Sequence, residues 1–167
     1  ASLIQGAGLG SAKWSTRPHK GRVDVETSLI ISKEETKSLT VDEIMERINS
    51  SLAYNEFEYQ KKTGVLIKGD DKLEGFDTMF YKCPCCEKEF GIVSGKNQVE
   101  CTKCGTKAEI DDSFRFHWNG DKEYFDNYSQ WYDWQLEKMK EEVSDPDFKM
   151  EELVDYDTDE PGIDNYV

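Results

Sequence analysis

CPCCEKEFGIVSGKNQVECTKC, residues 83–104, contains all five cysteines of a 167-residue chain. Two tight pairs, Cys83-x-x-Cys86 and Cys101-x-x-Cys104, stand 14 residues apart. A two-residue spacer lets both sulfurs of one turn approach a tetrahedral ion, and a hairpin of this length brings the second pair round to complete the set. The turn cluster SGKN between EFGIV and QVEC supplies that hairpin. Gly105, just after Cys104, suits the positive φ such a turn needs, whereas Glu87 fills the matching place after Cys86 and suits it less. Four sulfurs leave no open coordination position, so the expected ion is structural, zinc first, with iron able to use the same ligands. Redox cysteines, disulfides and free thiols are the alternatives. Cys85 reads as a spare thiol, because using it as a ligand would leave Cys83 unpaired or shorten the spacer.

Working outward, Phe114, Phe116 and Trp118 alternate after the cysteines and predict a further strand. The segment 127–143 predicts a helix with Tyr128, Trp131, Tyr132, Gln135 and Met139 on one face, stopped by Asp145-Pro146. Trp131 and Trp134 fit a core; a partner groove is the sharper alternative. Upstream, Val23, Val25, Thr27, Leu29 and Ile31 alternate with polar residues, the pattern of a strand with one buried face. Ser32 with Glu35 and Thr40 with Glu43 can each form a capping box. Val41, Ile44, Met45, Ile48 and Leu52 then mark an amphipathic helix of roughly four turns, which 54–62 either prolongs or follows with a second. The expected fold is α+β: a terminal strand-and-helix portion over 1–62, a linker over 63–78, a small four-cysteine ribbon over 79–120, an aromatic helix over 121–148 and a disordered acidic tail over 149–167.

The composition is polar, 37% hydrophobic and 34% charged, and no apolar run approaches the ~20 residues of a membrane span. The first 22 residues have bases without the apolar core of a secretory signal, so a reducing, cytoplasmic setting is expected, which favours metal over disulfides. The chain begins at Ala1 without an initiator Met and is expected to be a fragment. The net charge of −14 is uneven: residues 1–22 hold four bases and no acid, residues 83–120 five bases and six acids, residues 121–167 four bases and sixteen acids. Nucleic-acid binding needs a basic stripe, and a near-neutral ribbon beside an acidic segment argues against it.

Lys13, Arg17, Lys20 and Arg22 are the candidate substrate-binding residues, a basic loop able to meet an anionic headgroup, a phosphopantetheine arm, an acidic carrier protein or an anionic membrane surface. The bland reading is a solvated loop. His19 and Asp24 fit His-x-x-x-x-Asp, in which a histidine base is oriented by an aspartate in glycerolipid acyltransferases. Asp24 sits on the outward face of the predicted strand, and no phosphate-binding Glu-Gly-Thr-Arg segment follows, so the match reads as coincidence.

The order of these pieces resembles the C-terminal end of bacterial 1-acyl-sn-glycerol-3-phosphate acyltransferases. The likeness is carried by SAKWS and RPHKGRVDVETSLIISKEETKSLTVDEIMERINSSL, then YNEFEYQKK, FDTMFYKCPCC, CTKCG and WYDWQLEKMKEEVSDPDF, together spanning about residues 5–150. Departures are Ala12 where a proline is usual, Tyr59 where a tryptophan is common, and the extra Cys85. The resemblance implies the last strand and helix of an α/β catalytic domain with a zinc ribbon fused behind it. It implies transfer of a fatty acyl group from acyl carrier protein or coenzyme A to a lysophospholipid, at or near the inner face of the cell membrane. The family's catalytic pair and phosphate-gripping arginine motif lie upstream of the strand seen here, so no catalytic residue carries over and the chain alone is expected to be inactive. A zinc-ribbon protein-interaction module without catalytic activity is the alternative.

Overall fold

The computed structural model describes residues 1–15 and 17–151. They fall into two units, Ala1–Gln135 and the stretch from Leu136 onward. The first unit is α+β and is built from two antiparallel sheets and a set of short helices.

The N-terminal sheet pairs β1 (Ser2–Gln5) with β2 (Asp24–Thr27), with Ile4 opposite Val25 and Ser2 opposite Thr27. A four-residue helix, α1 (Ala7–Gly10), follows β1. A 3₁₀ turn at Glu35–Lys37 opens on the reciprocal Ser32–Glu35 bonds, Ser32 N–H to Glu35 Oε2 at 2.8 Å and Glu35 N–H to Ser32 Oγ at 3.3 Å. Helix α2 (Val41–Leu52) opens on the Thr40–Glu43 capping box, which satisfies backbone donors that the first turn leaves orphaned. The segment after it is a separate helix, α3 (Glu56–Thr63), started by Asn55, whose Oδ1 accepts from the N–H groups of Phe57 and Glu58, and ended by Gly64 in the left-handed region.

The strand and the amphipathic helix are present, but their apolar faces are not buried. Strand β2 is short, and Val23, Val25 and Leu29 are 49%, 64% and 83% exposed, while α2 contains no buried residue. A two-stranded sheet covers its backbone from one side only, and among the described residues no second layer lies on the face that carries Ile4 and Val25.

The second sheet is a meander, β3 (Ile92–Gly95), β4 (Gln98–Cys101), β5 (Lys107–Ile110) and β6 (Phe116–Trp118), antiparallel throughout. Lys96-Asn97 makes the predicted hairpin turn, with Lys96 at φ 54°. The pairs Val99–Ala108 and Ile110–Phe116 face inward and are buried. Phe114 lies before β6, at φ 58°, with its ring fully inside.

One core joins these parts. Phe76 and Phe80 stack at 3.9 Å, Trp14 meets both edge-on, and Trp131 of helix α4 (Tyr128–Val143) contacts Phe76, Phe80, Phe116 and Trp118. Such edge and offset contacts suit the ring quadrupoles, and each buried indole N–H has a partner: Trp14 donates to the Lys72 carbonyl and Trp131 to the Lys82 carbonyl. Trp131 and its neighbours therefore form core. Residues 63–78, expected as a linker, supply Val65, Ile67, Leu73 and Phe76 to that core. The polar run Gly69-Asp70-Asp71 hides this, because it is a turn between two buried stretches. Lys72 is buried as well, its Nζ donating to Gly69 O at 2.9 Å and to Asp112 at 2.8 Å.

In the second unit α4 runs on to Val143, with Lys140 paired to Glu137 and Lys138 to Glu141, and a turn follows at Asp145–Phe148. Most of the expected acidic tail, residues 152–167, lies outside the described residues. Removing the ring of Phe76 should cost about 3–5 kcal/mol in chemical denaturation of Phe76→Ala. Val25→Lys should stay within about 0.5 kcal/mol, and a loss of several kcal/mol there would show that the sheet face is covered.

Candidate metal centre

The sulfurs of Cys83, Cys86, Cys101 and Cys104 all lie within 4.8 Å of one another. Cys83 Sγ is 3.7 Å from Cys104 Sγ, and Cys86 Sγ is 3.8 Å from Cys101 Sγ. Bonds of ~2.3 Å to a tetrahedral ion place ligand sulfurs about 3.8 Å apart, so the spacing fits a four-thiolate centre. A disulfide would bring two of them to ~2.05 Å. The Cys85 thiol stands outside the cluster and is exposed; only its backbone takes part, its N–H approaching Cys83 Sγ at 3.4 Å.

Two equivalent turns hold the ligands. The Cys83 carbonyl accepts from Glu87 N–H at 2.9 Å and the Cys101 carbonyl from Gly105 N–H at 2.8 Å. The Cys83 N–H donates to Lys88 O, and the Cys101 N–H donates to Thr106 O. Both turns pass through the left-handed region at the residue after the second cysteine, Glu87 at φ 56° and Gly105 at φ 74°. Glu87 thus adopts the conformation that glycine adopts in the other turn, at some steric cost. Gly91 is required for a different reason: a Cβ there would stand 2.7 Å from Lys103 Cγ and 3.4 Å from Cys101 Sγ. The turns meet because Thr102 N–H and Oγ1 both donate to Gly91 O.

The electrostatics divide the thiols into two kinds. Burial pushes Cys83 and Cys101 up, so without an ion they hold their protons. Burial also opposes ionisation of Cys86 and Cys104, but backbone N–H groups of Lys88 and Thr106, the Thr106 hydroxyl and neighbouring thiols outweigh it and bring both below the usual thiol range. An ion entering this centre displaces protons from Cys83 and Cys101, so its affinity falls as pH falls.

Behind the ligands stands a support whose role the sequence pattern did not show. Gln135, 5% exposed, donates through Nε2 to Met79 O at 3.0 Å and accepts at Oε1 from the N–H groups of Tyr81 and Lys82. With the Trp131 indole on Lys82 O, it fixes three of the four residues that lead into Cys83, Met79, Tyr81 and Lys82. The periodicity of the helix places Gln135 on the inward face; its role follows only from the turn it meets.

The basic loop does not form one cluster. Arg22 is paired with Asp24, its Nε donating to Oδ1 at 2.8 Å. Lys13 borders a largely apolar cavity of about 360 Å3 beside Trp14, Phe80 and Tyr132. Arg17 and Lys20 share another cavity with Lys68, which the sequence pattern gave no reason to group with them. His19 Nε2 is 2.7 Å from Asp71 Oδ1, and Asp24 is held by Arg22 and the Tyr59 hydroxyl, so His19 and Asp24 are not partners. The His19 bond keeps the Asp71 carboxyl below the usual range. No described helix is long and apolar enough to cross a membrane.

Compared with known proteins, the chain matches no family model, no curated protein and no solved structure. Titration with Co2+ should give one tetrahedral thiolate centre per chain. Serine at Cys83, Cys86, Cys101 or Cys104 should weaken it strongly, and Cys85→Ser should leave it intact. Stripping the ion at neutral pH should cost several kcal/mol of stability in thermal melts. A stoichiometry near zero with the fold intact would remove the centre.

Proposed function

We propose that this chain is the C-terminal portion of a lysophosphatidate-type acyltransferase, which moves a fatty acyl group from acyl carrier protein or acyl-CoA onto the free hydroxyl of a lysophospholipid. The catalytic pair and the phosphate-gripping arginine belong to a segment upstream of these residues. The ion is zinc and its role is structural, since four thiolates leave it no open position for substrate. The parent enzyme works in the cytoplasm, peripherally on the inner face of the cell membrane.

The observation that carries this reading is the contrast between a well-filled core and two open apolar faces in the first 52 residues. Ile4, Val23, Val25 and Leu29 on the sheet side, and Val41, Met45 and Leu52 on α2, are each more than two-fifths exposed. Strand and helix carry patterns made for burial, yet among the described residues the sheet face and the flanks of the α2 stripe lie open, with Ile44 and Ile48 half-buried. Covering them is what the remaining strands and helices of an α/β catalytic domain would do. The same exposed faces favour a second reading, a metal-braced module that docks on a separate protein.

Purified chain mixed with acyl donor and lysophosphatidate should form no phosphatidate; turnover would place catalytic residues within it and overturn the proposal. Sequence encoded immediately upstream should contain a His-x-x-x-x-Asp pair and an arginine-bearing phosphate motif. In that longer protein Val25→Lys should lower activity about tenfold or more, since 1.4 kcal/mol of lost docking is already a factor of ten. An upstream sequence lacking both motifs leaves the docking module as the reading.

A further inference from the structure

We propose that the cavity between residues 17–20 and residues 66–71 binds a phosphate monoester, held by Arg17, Lys20 and Lys68. It has a volume of about 460 Å3, and these three cations line it together with Pro18, Leu66 and the His19–Asp71 pair. The inference does not depend on the acyltransferase reading, because the site lies wholly within this chain.

The three side chains are available. Arg22, Lys72, Lys82 and Arg115 are each within 3.0 Å of a carboxylate, whereas Arg17, Lys20 and Lys68 have no ion pair or side-chain hydrogen bond among the described residues. The wall holds one carboxylate against three cations, and its acceptors are already engaged. Asp71 is bound by His19 Nε2 at 2.7 Å, and Gly69 O accepts from Lys72 Nζ at 2.9 Å and Asn97 Nδ2 at 2.8 Å. What faces the cavity is therefore a surplus of positive charge in a chain of net charge −14.

The loop is also placed before any ligand arrives. His19 N–H donates to Gly10 O at 2.7 Å, and its ring is 7% exposed. Close approach fixes the two walls: a Cβ on Gly69 would stand 2.5 Å from His19 Cδ2, and one on Gly21 would stand 2.4 Å from Ile67 Cδ1. Pre-ordering of this kind lowers the entropic cost of binding.

The chemistry selects the ligand class. A guanidinium offers a bidentate fork to two phosphate oxygens, and two ammonium groups match the second charge of a monoester, which a diester lacks. The cavity exceeds a bare phosphate, and Leu66 and Pro18 give an apolar wall for the esterified carbons. Long polyanions are disfavoured by the acidic remainder of the chain.

The test titrates the 167-residue chain with inorganic phosphate and with glycerol 3-phosphate, following the backbone amides of Arg17, His19, Lys20 and residues 66–71 by NMR. Saturable shifts are expected with the ester. The combined Arg17→Gln, Lys20→Gln, Lys68→Gln variant should weaken binding about tenfold or more, and Lys68→Gln alone should weaken it measurably. A Lys33→Gln, Lys37→Gln control should bind as the parent does, with amides outside the site reporting an unchanged fold in every variant. Co-sedimentation with vesicles of phosphatidate against equal-charge vesicles of phosphatidylglycerol identifies the source. Preference for phosphatidate assigns a lipid headgroup, soluble binding without vesicle preference assigns a free ester, and both support the site. Absence of saturable shifts with equal retention by the two vesicles, or equal weakening in the control, overturns it.

Discussion

Closure of four thiols around one point is the constraint on which the middle of this protein depends. The meander β3–β6 has strands of only three or four residues, and isolated hairpins of that size are marginal in water. The two cysteine turns tie its start to its middle: Cys83 and Cys86 precede β3, Cys101 closes β4, and Cys104 precedes β5. With an ion in place, the segment entering β3, the β3–β4 hairpin and β5 cannot separate without breaking metal–sulfur bonds. In small metal-dependent domains such binding is worth on the order of 10 kcal/mol, far above what a few cross-strand pairs offer.

The sheet would not rest on a metal ion alone. Its inward residues Val99, Ala108, Ile110 and Phe116 lie on the aromatic cluster of Phe76, Phe80 and Trp131, and the buried Gln135 connects that cluster to the residues just before Cys83. Metal turn and core are thus coupled through two side chains of one helix. An unmade bond to a buried amide costs about 1–3 kcal/mol, so Gln135 would be expensive here unless all its contacts formed together. They do: its amide both donates and accepts at the same turn.

The cysteine spacing was legible because metal geometry permits few arrangements of four thiols and a short hairpin. Caps were legible for a similar reason, since Thr40 with Glu43 acts over three residues and needs nothing distant. Burial was less so. The alternation around Val25 and the stripe from Val41 to Leu52 are correct as local patterns, yet periodicity says which side of an element is apolar and not whether anything covers it. The stretch 63–78 misled in the opposite direction, because Gly69-Asp70-Asp71 looks like solvated linker while the residues on either side are core. Strand β5 carries one buried alanine and one buried isoleucine among charged neighbours, too few apolar residues to signal a strand. The grouping of Lys68 with Arg17 and Lys20 spans some fifty residues and arises from tertiary contact alone.

The open faces and the pinned basic loop have a common structural logic. Residues 7–22 are bound on one side to the core, through Leu9 and Trp14, and on the other to β2, through the Gly6 turn and the Arg22–Asp24–Tyr59 contacts. A Cβ on Gly6 would stand 2.3 Å from Arg22 O, so the two ends of this segment are in close contact. The segment therefore passes from the core beside the cysteine cluster to the sheet whose apolar face is open. A body docked on that face would press on an element whose far side is fixed by Trp14 and the His19–Asp71 pair. Such a brace would hold strand and loop in one geometry for any body docked on the exposed valines and leucines, which a four-residue strand could not do by itself.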